Sequence, residues 1–426
     1  MSAASAVDTA RARTTGAGDG ASWFVHDRWD EAHAEGVLLD RSSEAPGRLH
    51  GVPVAVKANC SVAGVRPTAG SAALDDVPVA EVDAGAVALV RAAGAIIVGT
   101  VNLDELAYGF TGRNPHHGSV PNPHAADRLS GGSSSGSAAT VAAGVVPVAL
   151  GTDTNGSVRV PAALCGVWGL RPTMGCVPLD GVVPLARSLD TPGPLAASST
   201  LLTDAAAALG IDVTPRVDPA RVRVRTVSGF PAEPATPPVR AGVATVAAAL
   251  RNSGDVVLPW CEAARAGAQL VTAVEGAAAF ADVLRNRPER IGPLVRHRLR
   301  AGALIDGVSY VRALRLRAEL MAVAEALFGD VDLLVLPTVP TTAPADDAET
   351  VGVDGMVEHV NAALGRCTTP FSFVGLPALS VPVAERGDDG LPVGVQLVAR
   401  WGDDALLLAV AQALEHGGVA AAHLRP

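Results

Sequence analysis

The sequence predicts an α/β protein, a single large domain built on a central mixed, mostly parallel twisted sheet covered by helices on both faces. Short β-branched apolar runs alternate with helical stretches along most of the chain, which is the pattern of strand–helix–strand units. Runs such as "GVPVAVKAN" carry almost no polar residue before their last positions, as strands buried on both faces do. Hydrophobic residues make up 49% of the 426 positions but aromatic ones only 3%, so the core is filled mainly by Ala, Val and Leu, as suits a layered α/β domain.

The elements follow in order. Residues 1–20 lack the apolar segment of a signal peptide and are expected to be a disordered tail, with residues 21–426 forming the domain. A short helix in "DRWDEAHAEG" leads to a strand over 52–56, a helix over 81–93, a strand over 95–99 and a helix over 102–108. Residues 111–137 show little periodicity and much Gly, Asn, Pro and His, and so long a loop inside a compact domain is usually functional. A helix restarts at 138–143, "VVPVALG" reads as a strand, and "GTDTNGSVRVPAALCG" as a second glycine-bearing turn. The Ala- and Arg-rich stretch 203–327, with helical runs at 239–250, 264–284 and 310–327, is expected to lie over the sheet. "VDLLVLP", "PALSVPV" and "VGVQLVA" return to strands, and a helix over 404–416 closes the chain.

Composition narrows the function. A net charge of −10 without a basic run disfavours direct nucleic-acid binding. The apolar stretch 138–150 is too short for a membrane span and is broken by Gly144 and Pro147. Five cysteines without a CxxC pair suit a reduced, cytoplasmic protein with no structural zinc, and no metal-ligand spacing is present. A small-molecule site is the default.

Of the 33 basic residues only Lys57 is a lysine. Arginine cannot give up its proton near neutral pH, whereas a buried lysine can. Lys57 ends an apolar strand, so it is a candidate for a neutral amine, weighed against an ordinary surface lysine. The second conspicuous feature is "LSGGSSSGSA" at 129–138. A Gly/Ser linker would interrupt a strand–helix alternation that continues on both sides. A phosphate loop would need GxxxxGK[ST], which is absent. A GxSxG elbow centred on Ser134 would need a preceding strand, and "PNPHAADRLS" is not one.

Taken with the second turn and Lys57, the stretch resembles the amidase signature family. "GVPVAVKAN", "GGSSSGSAA", "GTDTNGSVRVPA", "CGVWGLRPT" and "SLDTPGPLA" occur in family order. Within the family, "GTDTNGSVRVPAALCGVWGL", "RPERIGPLVRHRLRAGALI" and "TTPFSFVGLP" are similar to the biuret-type amidohydrolases, the carboxybiuret and allophanate hydrolase branch. The resemblance implies a cofactor-independent amidase with a Ser–cis-Ser–Lys triad: Ser157 as nucleophile, Ser133 as bridging cis-serine and Lys57 as base. It implies an oxyanion hole of backbone N–H groups at Thr154, Asn155, Gly156 and Ser157, supported by Gly132, Ser134, Asp153 and Arg159. Two positions depart from the common pattern: Ala58 stands where Asp usually follows the lysine, and Asn155 where glycine is common. A small amide or urea-like substrate is implied, and for some members of the branch a small helical accessory subunit; a homodimer is a further expectation. If the substrate carries a carboxylate, Arg296, Arg298 and Arg300 are candidate partners, and His116 and His117 are candidate pocket residues. The competing readings are a glutaminase-type amidotransferase component, an amide-forming or acyl-transfer tailoring enzyme in which an amine captures the acyl group, and a non-enzymatic scaffold.

Overall fold

The strand Pro53–Lys57 sorts its side chains by the two-residue period of an extended chain: Val54 and Val56 enter one hydrophobic cluster and Ala55 another on the opposite face. In the computed structural model, which describes residues 2–16, 23–42, 47–215, 218 and 221–425, this strand lies within an eleven-stranded sheet. The strands run in the order Phe24–Asp27, Ile96–Val101, Pro53–Lys57, Val148–Asp153, Thr191–Ala196, Trp168–Arg171, Ala378–Pro382, Gly394–Ala399, Leu333–Pro337, Val224–Ser228 and Asp255–Val257. Helices 85–92, 199–208, 237–249 and 404–416 cover one face. Helices 3–16, 29–40 and 135–142 cover part of the other, and helices 261–279 and 307–327 the rest. The two-sided α/β architecture is as expected.

The sheet is mixed, but parallel pairing is its minority. Pro53–Lys57 is parallel to both of its neighbours, and so is Val224–Ser228, while the other six adjacent pairs are antiparallel. The connections over 172–190 and 383–393 contain no helix, and strands joined without a crossover helix pair antiparallel.

Four further expectations are corrected. The expected N-terminal tail contains a helix, Ala3–Gly16, which buries Val7 and Ala10 against Trp29–Asp40; residues 1 and 17–20 lie outside the described residues. The Asp40 carboxylate accepts from the Ala3 and Ala4 N–H groups at 2.7 and 3.2 Å, which stabilises a helix N-terminus. Over 102–108 there is only a 3₁₀ turn, Glu105–Ala107, with Leu106 and Ala107 left-handed. The buried Asp104 accepts from the Thr111 and Gly112 N–H groups, and this draws the chain into a loop. The expected loop 111–137 contains a small hairpin, Pro121–Asn122 with Ala125–Leu129, and its last residues already belong to helix 135–142. The segment 203–327 does not merely cover the sheet, since it also supplies strands Val224–Ser228 and Asp255–Val257 at one edge. Among the described residues no helix is long and apolar enough to cross a membrane.

Candidate active site

The site forms where the parallel strands Pro53–Lys57 and Val148–Asp153 end, the carboxyl-end position at which α/β sheets commonly bind ligands. Lys57 is the last residue of its strand and is 0% exposed. Its Nζ lies 2.8 Å from Ser133 Oγ, 2.8 Å from Thr152 Oγ1 and 3.3 Å from the Thr152 carbonyl oxygen. Burial disfavours the ammonium and lowers Lys57 to about 8, against the raising influence of Cys60, Asp104, Asp190 and Asp153. A neutral amine here can donate to the two Thr152 oxygens and accept from the Ser133 hydroxyl. Asn59 Nδ2 also donates to Thr152 Oγ1 at 3.1 Å, fixing that hydroxyl from the other side.

The Gly132–Ser133 peptide is cis. A Cβ on residue 132 would collide with the Asp104 carboxylate, so glycine is required there. The Ser134 N–H donates to the Ser157 carbonyl at 3.0 Å, and Ser134 Oγ bonds the Thr152 backbone, which ties the serine stretch to the second turn. Ser130 and Ser137 donate to the Val120 and Leu150 carbonyls at 2.9 Å. They hold the loop instead of capping helix 135–142, which has no side-chain cap.

The second turn rests on a buried charge cluster. Asp153 Oδ1 and Oδ2 accept from Arg159 at 2.9 and 3.0 Å, and Oδ1 accepts from Arg171 at 3.1 Å, with all three side chains 0% exposed. Burial would push the Asp153 carboxyl up, but the two guanidiniums outweigh it and hold it well below the usual carboxylate range. Arg159 also bonds Gln396 Oε1 at 2.6 Å and Ser372 Oγ at 2.5 Å, joining the turn to the strand Gly394–Ala399 and the short helix Thr369–Phe373. Thr154 Oγ1 donates to Asp190 at 2.6 Å, and Asp190 is raised to about 6 by burial. Gly156, with φ +136°, has no room for a side chain because Thr368 lies against it.

A cavity of about 310 Å³ opens over this turn. Thr154, Asn155, Ser157 and Thr272 line it, with Tyr108 and Arg298 among its other residues and Arg265, His359 and Asn361 also around it. Of the anticipated oxyanion donors, Gly156 N–H is already taken by Asp153 Oδ1 at 2.8 Å, so that expectation is corrected. Of the anticipated arginines only Arg298 lines the cavity, where its guanidinium stacks 5.3 Å from the Tyr108 ring and donates to the Tyr108 carbonyl at 2.5 Å. Arg296 turns back to the Pro288 carbonyl at 3.2 Å and Arg300 is exposed, because a helix sends neighbouring side chains to different faces. His116 and His117 are not among the lining residues. Asn114 Oδ1 binds both of their backbone N–H groups, and Glu105 binds the His116 ring at 2.8 Å. Thr152, Arg171, Asp190 and Thr272 were not anticipated as site residues. Thr152, Arg171 and Asp190 do fall inside the family-like motifs, but nothing in the chain marks Thr272, 115 residues beyond Ser157.

A mixed α/β sheet with a buried lysine and two serine-bearing turns at its strand ends is the frame found here, and similarity to known proteins gives its class. The chain belongs to the amidase signature family, whose model, described as Amidase, matches residues 9–408. It is 39% identical to AtzE, a component of the 1-carboxybiuret hydrolase of Pseudomonas sp. (strain ADP), over 96% of this chain and 93% of that one. It is 35% identical to a component of the glutamyl-tRNA(Gln) amidotransferase of Thermus thermophilus, covering 92% and 90% of the two chains. Among solved structures, an s-triazine catabolic enzyme in an inhibitor-bound "vestigial protein complex" superposes with a TM-score of 0.94 at 38% identity, over 100% of this chain and 97% of that one. The 6-aminohexanoate cyclic dimer hydrolase, complexed with its substrate, has a TM-score of 0.86 at 25% identity, over 98% and 94%. The chain is therefore a hydrolase of carbon–nitrogen bonds other than peptide bonds.

Proposed function

We propose that this enzyme hydrolyses a small amide or urea-like compound, such as biuret or carboxybiuret, through an acyl-enzyme on Ser157. The observation that carries the reading is Lys57: fully buried, lowered to about 8 and 2.8 Å from the Ser133 hydroxyl. Ser157 Oγ attacks the carbonyl carbon and passes its proton to Ser133, whose own proton moves to Lys57 Nζ. The tetrahedral oxyanion is met by the backbone N–H groups of Thr154, Asn155 and Ser157. As the C–N bond breaks, Ser133 protonates the leaving nitrogen and is resupplied from Lys57. Water then attacks the acyl-enzyme along the same relay, releasing the acid and the free serine. Asp153 and Arg159 hold the turn and do not react. Arg298 is the natural partner of a substrate carboxylate, since no carboxylate pairs with it among the described residues.

Ammonia release from biuret, carboxybiuret, allophanate, and aliphatic and aryl amides tests this reading. At least one substrate is expected to be turned over, and Ser157→Ala and Lys57→Ala each to abolish turnover; hydrolysis surviving in both variants refutes the triad. The likeness to the glutamyl-tRNA(Gln) amidotransferase favours a second reading, glutamine hydrolysis with ammonia passed on; preferential turnover of glutamine would select it. Added amines that divert product from acid to amide would point to acyl transfer. A small helical accessory subunit or a second copy of the chain is the proposed partner, since the solved s-triazine relative comes from a protein complex. The five cysteines carry no disulfide, in keeping with a cytoplasmic location.

A further inference from the structure

Asn155 occupies the position where the family pattern commonly has glycine, and the structure gives its side chain a fixed geometry with one atom unused. Its backbone carbonyl accepts from Thr368 Oγ1 at 2.7 Å and from Thr369 Oγ1 at 3.2 Å, which pins the main chain. Its Nδ2 donates to Thr272 Oγ1 at 2.8 Å, which pins the amide plane. Thr272 is itself buried on the helix Cys261–Ala279, and both residues line the cavity beside Ser157. Asn155 is only 9% exposed, yet its Oδ1 has no hydrogen-bond partner among the described residues. A buried acceptor left without a donor is costly, and such atoms call for an explanation.

We infer that Asn155 Oδ1 is the acceptor for an N–H on the acyl side of the substrate, and so selects ureides, whose acyl carbon carries nitrogen, over carboxamides, whose acyl carbon carries a CH₂. This rests on the function proposed above and deepens it. Asn155 lies two residues before the proposed nucleophile and lines the same cavity as Ser157 and Thr272, which places its side chain among the groups a bound substrate would meet. An N–H there completes the acceptor, whereas a CH₂ leaves it buried and unpaired. Sites built around a hydrogen bond reject analogues that lack it more strongly than apolar pockets reject a change of shape. Because Asn155 is held at both its carbonyl and its Nδ2, the selection needs no rearrangement when substrate binds.

Biuret and malonamide differ only in the central NH or CH₂, and so form the test pair. Their kcat/KM values are measured for the wild type, Asn155→Gly and Thr272→Val, with a thermal melt of each variant to establish folding. Comparing each compound's loss between wild type and variant cancels the intrinsic reactivity of the two amides. Asn155→Gly is expected to lower kcat/KM for biuret by about 10- to 100-fold more than for malonamide, the size of a lost buried hydrogen bond. Thr272→Val, which releases the amide plane, is expected to reduce the same preference in part. Equal losses on both compounds, or a larger loss on malonamide, overturn the inference. The comparison is repeated as equilibrium binding in a Ser157→Ala background, where no turnover is needed. Tighter binding of biuret that disappears with Asn155→Gly supports the acceptor role even if the triad assignment fails, and binding of neither compound, or of both alike, overturns it. Hydrolysis of other amides without any NH-over-CH₂ preference would overturn the acceptor role and leave the triad standing.

Discussion

The rate of amide hydrolysis should follow the deprotonation of Lys57. That residue is fully buried, and desolvation lowers it from 10.5 to about 8. In the proposed relay only the neutral amine can take the proton from Ser157, so the competent fraction is roughly one-tenth at pH 7 and nine-tenths at pH 9. A profile of kcat/KM from pH 6 to 9.5 at constant ionic strength, read by ammonia release, is expected to rise about tenfold per unit below pH 7 and to level off above about pH 9. The same shift has a consequence for stability. The folded-state value lies below the unfolded one, so the folded protein binds fewer protons between them and stability rises with pH from about 8 to 10.5. At pH 7 the buried ammonium disfavours folding by about 3 kcal/mol, of which about 2 kcal/mol is relieved by pH 9.5. Lys57→Met removes the titrating group, so the gap in unfolding free energy between wild type and variant should move by about 2 kcal/mol in favour of the wild type between pH 7 and 9.5. Lys57→Met should also be inactive, and Lys57→Arg inactive at every pH because a guanidinium cannot deprotonate there. A flat or falling rate profile, or an active Lys57→Arg enzyme, would refute the role given to this lysine.

Other consequences follow from particular contacts. Gly132→Ala should abolish turnover, because its Cβ meets the Asp104 carboxylate beside Ser133; an active Gly132→Ala enzyme would show that the turn can open. Asp153→Asn leaves Arg159 and Arg171 buried without their counter-charge, and urea unfolding should show a loss of about 3–5 kcal/mol, with a loss under about 1 kcal/mol contradicting the assignment. Arg298→Ala should raise KM at least about tenfold for carboxylate-bearing amides with kcat little changed, while Arg300→Ala on the exposed face of the same helix should change neither value. Gly36→Leu would place a side chain within 2.8 Å of the Ala4 backbone; limited proteolysis should then cut the N-terminal helix Ala3–Gly16 faster than in the wild type.

Lys57 was legible without a structure for two reasons: arginine fills every other basic position, and the run before it is too apolar for a surface strand. The two serine-bearing turns were legible through the resemblance of "GGSSSGSAA" and "GTDTNGSVRVPA" to the motifs of the amidase signature family. Helix 404–416 and the strands around 333–337, 378–382 and 394–399 were legible because hydrophobic patterning and propensity are local properties. The N-terminal helix was not, since its apolar residues are few and small, and its order comes from packing on helix 29–40 and from Asp40. The histidines at 116 and 117 were misplaced for a related reason: a loop side chain points where its partners are, and Glu105 and Asn114 draw this pair away from the cavity.

The sequence by itself therefore determined which chemical groups are available: a single lysine at the end of an apolar strand, serines and glycines gathered in two short turns, and strands and helices enough to bury them. Tertiary structure decided what each group meets. Strand order and direction depend on pairings between segments far apart in the chain, and so do the contacts of Lys57 with Thr152, of Arg171 with Asp153, and of Asn155 with Thr272. Local propensity carries no information about such encounters, because burial and hydrogen bonding between distant segments are settled only when the whole core closes.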